Sequence, residues 1–532
     1  MFMDPDSMYI KVFFLTRKIE LCLLFIRFTI TIYILSHSTQ LYAGSWTAIP
    51  SLQLQEIYSD NIELLPPGRE KGALVTVVSP GISARYISPK STLNLDYRMQ
   101  NIYNSGGDDG LRIANQLQYN SHNTFVRNLL FLDSESSISQ QNFNNNRLAV
   151  DNIAGSGDTT TVTTFSLSPY ITPHFGGFAN GLFRVNFNTI TTGISADEGT
   201  ATDTINLEEI VQLNSGSDFK RISWALSFNN NESLRSGGDD VKFQSSNAII
   251  RAYLHRKFNL FAQAGHSNNS FRSNTDSSNN GIFYTFGAQW IPSQRFNIEA
   301  GYGNNRFVTV NIAPIRRVNW STTYRNRDIG LNAGETWQSR LSYRTRRSIW
   351  SLTHDNDTTT TQQILLELQP FTITDPFGNP ILDPVSKQPV LFATFLPNFT
   401  NEVIVRRLWN FSVAYNTGKS TISASAFNER RVFQVSGYKE TVRGLNASWI
   451  WQFAPRTSAY VTPRWQQIDR AVSTLNPIPV KDHRYDFAIG VNRTITNRMN
   501  ASLEFRHINQ SSDLESNEYR ENRATASVNM RF

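Results

Sequence analysis

Ala524-Thr525-Ala526-Ser527-Val528-Asn529-Met530-Arg531-Phe532 alternates without a break. Ala524, Ala526, Val528, Met530 and Phe532 fall on one face; Thr525, Ser527, Asn529 and Arg531 fall on the other. Side chains in a strand have a period of two, so this segment has one apolar and one wet face. It also ends on an aromatic residue.

The same pattern recurs upstream. Leu93, Leu95, Tyr97 and Met99 oppose Asn94, Asp96, Arg98 and Gln100. Leu111, Ile113, Leu117 and Tyr119 oppose Arg112, Gln116, Gln118 and Asn120. Phe183-Val185-Phe187, Tyr284-Phe286-Ala288-Trp290, Trp409-Phe411-Val413-Tyr415, Leu445-Ala447-Trp449-Trp451 and Tyr485-Phe487-Ile489-Val491 each make one apolar side of a run. With their flanks many of these runs approach the roughly nine to eleven residues a tilted strand needs to cross a bilayer. Strands of soluble domains average about five or six. No window outside the N-terminus shows a helical period.

Composition agrees. Hydrophobic residues are 39%, low for a packed core, while aromatics reach 12% and charged residues only 17%. Few charges, many small polar residues and many aromatics suit a barrel with a lipid face and a watery lumen. The net charge of +7 is mild for 532 residues, with no basic run among aromatics, which excludes nucleic-acid binding as a class.

Residues 1–43 differ. Lys11, Arg17 and Lys18 precede an apolar run from Leu21 to Leu35, and Leu41-Tyr42-Ala43 is an acceptable cleavage site. This is the order of a secretory signal, with the mature chain starting near Gly44 and Met8 as a second candidate start. An N-terminal membrane anchor is the rival reading. The single cysteine, Cys22, lies in this segment, so residues 44–532 offer no disulfide or thiolate ligand.

Connections alternate between short and long. Asn416-Thr417-Gly418-Lys419, Pro292-Ser293-Gln294-Arg295 and Ala454-Pro455-Arg456-Thr457 read as tight turns, the last two just beyond a Trp. Ser134–Thr160, Ser267–Asn280, Gln369–Thr400 and Asn509–Glu521 read as long loops. The proline-containing 369–400 stretch either covers the surface or folds inward to cap a barrel mouth. Gly44–Asn61 reads as a short lead before the β-rich chain, too small for a plug such as fills a TonB-dependent transporter. The expected fold is therefore all-β, a single transmembrane antiparallel β-barrel with an even strand number, about 20–24, short periplasmic turns and long extracellular loops. A closed ring is required because an open edge in lipid leaves backbone groups unpaired.

No catalytic or metal motif stands out, and the pattern calls for no cofactor. The eight His residues are scattered, without metal spacing. Gly106-Gly107-Asp108-Asp109 recurs as Gly237-Gly238-Asp239-Asp240, readable as a pair of cation-binding loops or as two turns. The charges on polar strand faces say more: Asp96, Arg98, Arg112, Arg184, Arg325, Arg340, Arg344, Arg464, Asp486, Glu504, Arg506 and Arg531. An Arg on the lipid face near the midplane costs about 2–4 kcal/mol, so these are expected to face the lumen. There they either pair with carboxylates or, in excess, favour anions and polysaccharide.

Several short stretches carry a resemblance. These are Glu56-Ile57-Tyr58-Ser59-Asp60-Asn61-Ile62, Val78-Ser79-Pro80-Gly81-Ile82, Ser168-Pro169-Tyr170, the 375–384 Asp-Pro/Gly-Asn-Pro stretch, Val403-Ile404-Val405-Arg406-Arg407 and Tyr519-Arg520-Glu521-Asn522-Arg523. In this order they resemble the outer-membrane β-barrel proteins associated with the PEP-CTERM/exosortase system. The resemblance implies an outer membrane with its lipid and lipopolysaccharide, a setting of exopolysaccharide export and PEP-CTERM protein sorting, and no catalytic residues. Phe532 resembles the C-terminal signal read by the barrel-assembly machinery, so Phe532→Ser is expected to lower the amount of protein that fractionates with the outer membrane. Two functions are compatible: a channel or export component, or a non-conducting anchoring barrel whose loops bind polysaccharide or partner proteins. A barrel enzyme is a third.

Overall fold

A computed structural model describes residues 44–106, 110–142, 146–149, 151–193, 203–274, 278–367, 400–472 and 478–532. The signal segment, Cys22, Gly107–Asp109 and residues 369–399 lie outside the described residues.

The chain forms one closed antiparallel ring of 24 long strands. They are β1 (Ser45–Ser59), β2 (Ala73–Ile87), β3 (Ser91–Asn104), β4 (Leu111–Val126), β5 (Leu130–Asn142), β6 (Thr159–Ile171), β7 (Ala179–Thr192) and β8 (Thr204–Ser215). Next come β9 (Ile222–Arg235), β10 (Val241–His255), β11 (Phe258–Ser270), β12 (Gly281–Ser293), β13 (Phe296–Gly303), β14 (Asn305–Ile312), β15 (Val318–Arg327) and β16 (Gly334–Arg344). The last eight are β17 (Ser348–Thr360), β18 (Val403–Asn416), β19 (Ser420–Phe433), β20 (Lys439–Ala454), β21 (Thr457–Arg470), β22 (Val480–Thr496), β23 (Met499–Ser512) and β24 (Tyr519–Arg531). Each pairs with its sequence neighbour, and β24 closes on β1 from Ser51↔Arg531 to Ser59↔Arg523. Closure satisfies the backbone groups that lipid cannot.

One end has only short turns, such as 256–257, 294–295, 455–456 and 497–498; the other carries 60–72, 143–158, 193–203 and 361–402. On the outer face near the short-turn end stand Trp46, Trp290, Trp320, Trp350, Trp449 and Trp451, all exposed. Such a belt marks a membrane interface. The short-turn end is thus periplasmic, and the strand faces between carry exposed Leu226, Phe286, Leu445, Ile489 and Leu503 to the lipid. The even strand number and this asymmetry are as expected from the sequence.

Three expectations need correction. Gly44–Asn61 is no lead: Ser45–Ser59 is the first stave, fifteen pairs long against β2. The long loops are shorter than read, because β5 runs to Asn142, β11 to Ser270 and β23 to Ser512. Above the membrane the outer face needs no apolar residue, so strands continue after their alternation fades. Finally, a helix follows β17, α1 (Thr361–Glu367). Its start is a capping box: the Gln363 amide N–H donates to Thr360 Oγ1 (3.1 Å) and the Thr360 amide N–H to Gln363 Oε1 (3.0 Å).

Candidate functional site

Towards the outer mouth, described loop residues turn inward and pack on the lumen wall. Residues 60–72 and 146–158 bring Ile62, Leu64, Ala149, Ile153 and Ala154 against inward-facing Ile57, Val75, Val77, Ile102, Ile508 and Tyr519. Burying each Ile, Leu or Val of this group contributes about 1.5–3 kcal/mol. Leu148 reaches further, onto Val442 of β20 and Ile468 of β21, so the 146–158 segment is a strap across the mouth. Gly155 lets it cross close to its neighbour: its φ is +61°, its N–H donates to the Ile62 carbonyl (2.9 Å), and a Cβ there would sit 2.7 Å from Leu64.

Polar bonds fasten the strap. The Tyr519 hydroxyl donates to the Leu148 carbonyl (2.6 Å), Gln510 Nε2 to the Asn146 carbonyl (2.6 Å) and Asn152 Nδ2 to Gln100 Oε1 (2.7 Å). Arg112 donates to the Asn152 carbonyl. Arg523 pairs with Asp151 in the strap and with Glu521 on its own strand (2.9 Å), and Glu521 accepts from the Ser59 hydroxyl (2.7 Å). Partial burial of a side chain still 38% exposed raises the Asp151 carboxyl, but the Arg523 guanidinium, the Ile153 amide and Arg506 outweigh it and hold the group below the ordinary aspartate range.

Two of the open cavities lie along the inner wall. One of about 570 Å³ is lined by Asp133, Glu135, Arg184, Glu208 and Asp357 among Asn186, Asn188, Asn206 and Asn229, with Gln363 and Leu366 of α1 over it. The described start of the 361–402 connection therefore folds inward, with Ile364 and Leu365 buried. The second cavity, about 540 Å³, is lined by Phe243, Phe283 and Phe307 with Gln263, Asn269, Glu299, Asn305 and Arg325.

The candidate charges distribute unevenly. Arg464, Asp486, Arg506 and Glu504 form one chain on β21–β23: Arg464 to Asp486 is 4.0 Å, Arg506 to Asp486 3.7 Å, Arg506 to Glu504 3.2 Å, and the Tyr460 hydroxyl donates to Glu504 (2.7 Å). Arg184 pairs with Asp133 (3.3 Å) and lies 4.1 Å over the Tyr170 ring. Arg325 donates to Gln338 Oε1 (2.9 Å), and Asp96, two residues from Arg98, accepts from the Ser83 hydroxyl. Arg340, Arg344 and Arg531 stand apart on the inner face towards the periplasmic end. In the first cavity carboxylates outnumber guanidinium groups four to one.

Sequence reasoning missed the driest cluster. Arg431, fully buried, holds Glu429 (2.8 Å) and Glu440 (3.0 Å); beyond it Arg470 pairs with Asp482 and lies 3.8 Å from Glu440. The signal was present as Glu429-Arg430-Arg431, where residues two apart share a face. Of the repeated Gly-Gly-Asp-Asp, the described copy is a turn. Asp240 accepts from the Arg235 amide (3.3 Å) and Asp239 lies 3.7 Å from Arg272. His354 and His507 lie on the outer face, His354 stacked on Trp409 with ring centroids 4.1 Å apart.

Phe532 is exposed on the outer face at the periplasmic rim, its amide N–H donating to the Pro50 carbonyl (3.0 Å). Among solved structures, the FrpB iron transporter from Neisseria meningitidis (F5-1 variant) is similar at 10% identity and TM-score 0.45, over 91% of this chain and 82% of that one. The siderophore receptor PirA from Pseudomonas aeruginosa follows at 9% identity and TM-score 0.38, over 91% and 80%. A loop-deletion mutant of OmpT from Vibrio cholerae shows 7% identity and TM-score 0.30, over 92% and 100%. No protein-family model and no curated protein matches the sequence. The apolar outer wall, its Trp belt and the closed ladder make this chain a 24-stranded antiparallel β-barrel of the outer membrane.

Proposed function

We propose that the barrel is a gated passage for polysaccharide, working beside exopolysaccharide secretion and PEP-CTERM/exosortase protein sorting. The observation that carries this reading is the cavity bearing Phe243, Phe283 and Phe307 beside Gln263, Asn269, Asn305 and Glu299. Sugar rings present an apolar C–H face and a rim of hydroxyls. Aromatic faces take the first; amides and carboxylates, which both accept and donate or only accept, take the second. The inward strap and α1 act as the gate, and the reading assigns no catalysis to the barrel.

The test is single-channel recording in planar bilayers. The wild-type barrel should conduct rarely, and a variant lacking 146–158 should conduct steadily and be blocked by maltohexaose. If neither protein conducts, the passage is wrong. The second reading is a non-conducting anchoring barrel, favoured by the fully buried ion pairs around Arg431, which suit a permanently closed wall.

A further inference from the structure

The two ends of the barrel differ in charge. Four periplasmic turns carry adjacent cations: Lys220-Arg221, Arg256-Lys257, Arg316-Arg317 and Arg346-Arg347. The turns at 88–90, 127–129, 294–295, 417–419, 455–456 and 497–498 each hold one more Lys or Arg. Against all of these stands a single turn carboxylate, Asp218. The described outer loops are the reverse, with Asp239-Asp240, Asp328, Asp513, Glu515 and Glu518 among their acids.

The periplasmic bias continues inside. Arg85, Arg340, Arg344 and Arg531 occupy lumen-facing register positions near that end and are exposed. None has a carboxylate within ion-pair distance among the described residues. Cations that only held phospholipid headgroups would be needed on the outer perimeter, not on the inner wall.

We infer that the periplasmic mouth is an electrostatic entrance for an anionic polysaccharide, one whose sugar units bear carboxylate, sulfate or phosphate. A ring of like charges around a low-dielectric mouth concentrates a polyanion there and raises its encounter rate. The cavity of about 540 Å³, lined by Arg325 and Arg327 beside a Glu299 held by Arg251 (3.0 Å), admits an extended chain and no folded domain. The inference names the substrate class of the passage proposed above and rests on that reading.

The test uses the full barrel in nanodiscs over immobilised polygalacturonate, with fully methyl-esterified pectin as the uncharged match. Wild-type protein should bind the acid form, bind the ester at background, and lose about tenfold in affinity between about 50 and about 300 mM salt. A rim variant with Arg316, Arg317, Arg346 and Arg347 all changed to Gln should lose about tenfold at low salt. Heat-modifiable gel mobility reports that it is folded, and Arg493→Gln, on the outer face, should bind as wild type. Equal binding of acid and ester, or a rim variant that binds as wild type, overturns the inference. So does a rim variant that loses only its retention of phosphatidylglycerol, which makes the ring a lipid contact. Polygalacturonate binding without conductance sinks the passage and keeps the basic mouth; conductance without polygalacturonate binding does the opposite.

Discussion

Glu429 and Glu208 both occupy lumen-facing strand positions, yet one is dry and the other wet. Glu429 is 1% exposed and held by Arg431, itself shared with Glu440. Glu208 lines the cavity beneath α1 and accepts from the amides of Asn186 (2.7 Å) and Asn229 (3.2 Å). The difference is the partner. A guanidinium neutralises a carboxylate and lets both leave water; an amide satisfies its lone pairs but leaves the charge, which keeps solvent nearby. The lumen thus has a sealed side on β19–β24 and a hydrated side on β5–β9 and β17.

The sharpest way to break this contrast is Arg431→Met. It strands the buried Glu429 carboxylate, leaves Glu440 only Arg470, and should cost about 3–5 kcal/mol, read as a fall in the urea midpoint of the barrel in vesicles. An unchanged midpoint would mean the cluster is wetter than its geometry says. Next, Asp151→Ala removes the strap's end of its charged tether and leaves Arg523 paired with Glu521 in the wall (2.9 Å), so open-channel events should rise severalfold with a smaller change in unfolding. The same tether responds to pH. The folded Asp151 carboxyl sits below its unfolded value of about 3.9, so its contribution is full above that value and fades as pH falls through the lower folded one. Open events should therefore increase in acid below about pH 4 in wild type, and that increment should be absent in Asp151→Asn. The smallest effect belongs to the hydrated side: Arg184→Ala breaks a partly exposed pair with Asp133 and should cost under about 1 kcal/mol. A loss as large as that of Arg431→Met would erase the distinction between the two sides.

Much of the wall was legible because lipid imposes a rule on every second residue. Tyr284-Phe286-Ala288-Trp290 and Tyr485-Phe487-Ile489-Val491 could face nowhere else. β1 escaped notice for a physical reason. Its outer face carries Pro50 and Glu56, and the Glu56 carboxylate, which interrupts the apolar series, accepts there from the Thr76 hydroxyl on β2 (2.9 Å). The sealed cluster was harder still. Arg464 meets Asp486 through strand register, and Tyr519 meets Leu148 through a loop that doubles back; neither distance is written in local spacing. The capping box at Thr360–Gln363 was readable, but seven residues of helix carry too little periodicity to rise above a β-rich background.

The seam has a consequence for timing. β1 leaves its second edge open until β24 arrives, and the ladder that closes it joins residues more than four hundred positions apart. While the chain is being made and exported, β1 can pair with β2 on one side only, and its other edge stays available to any strand that meets it first. Whatever escorts this chain across the periplasm must therefore shield one early edge for the whole of synthesis. The ring can close only after the final stave has been delivered, with the bond from Phe532 to Pro50 beside its last rung.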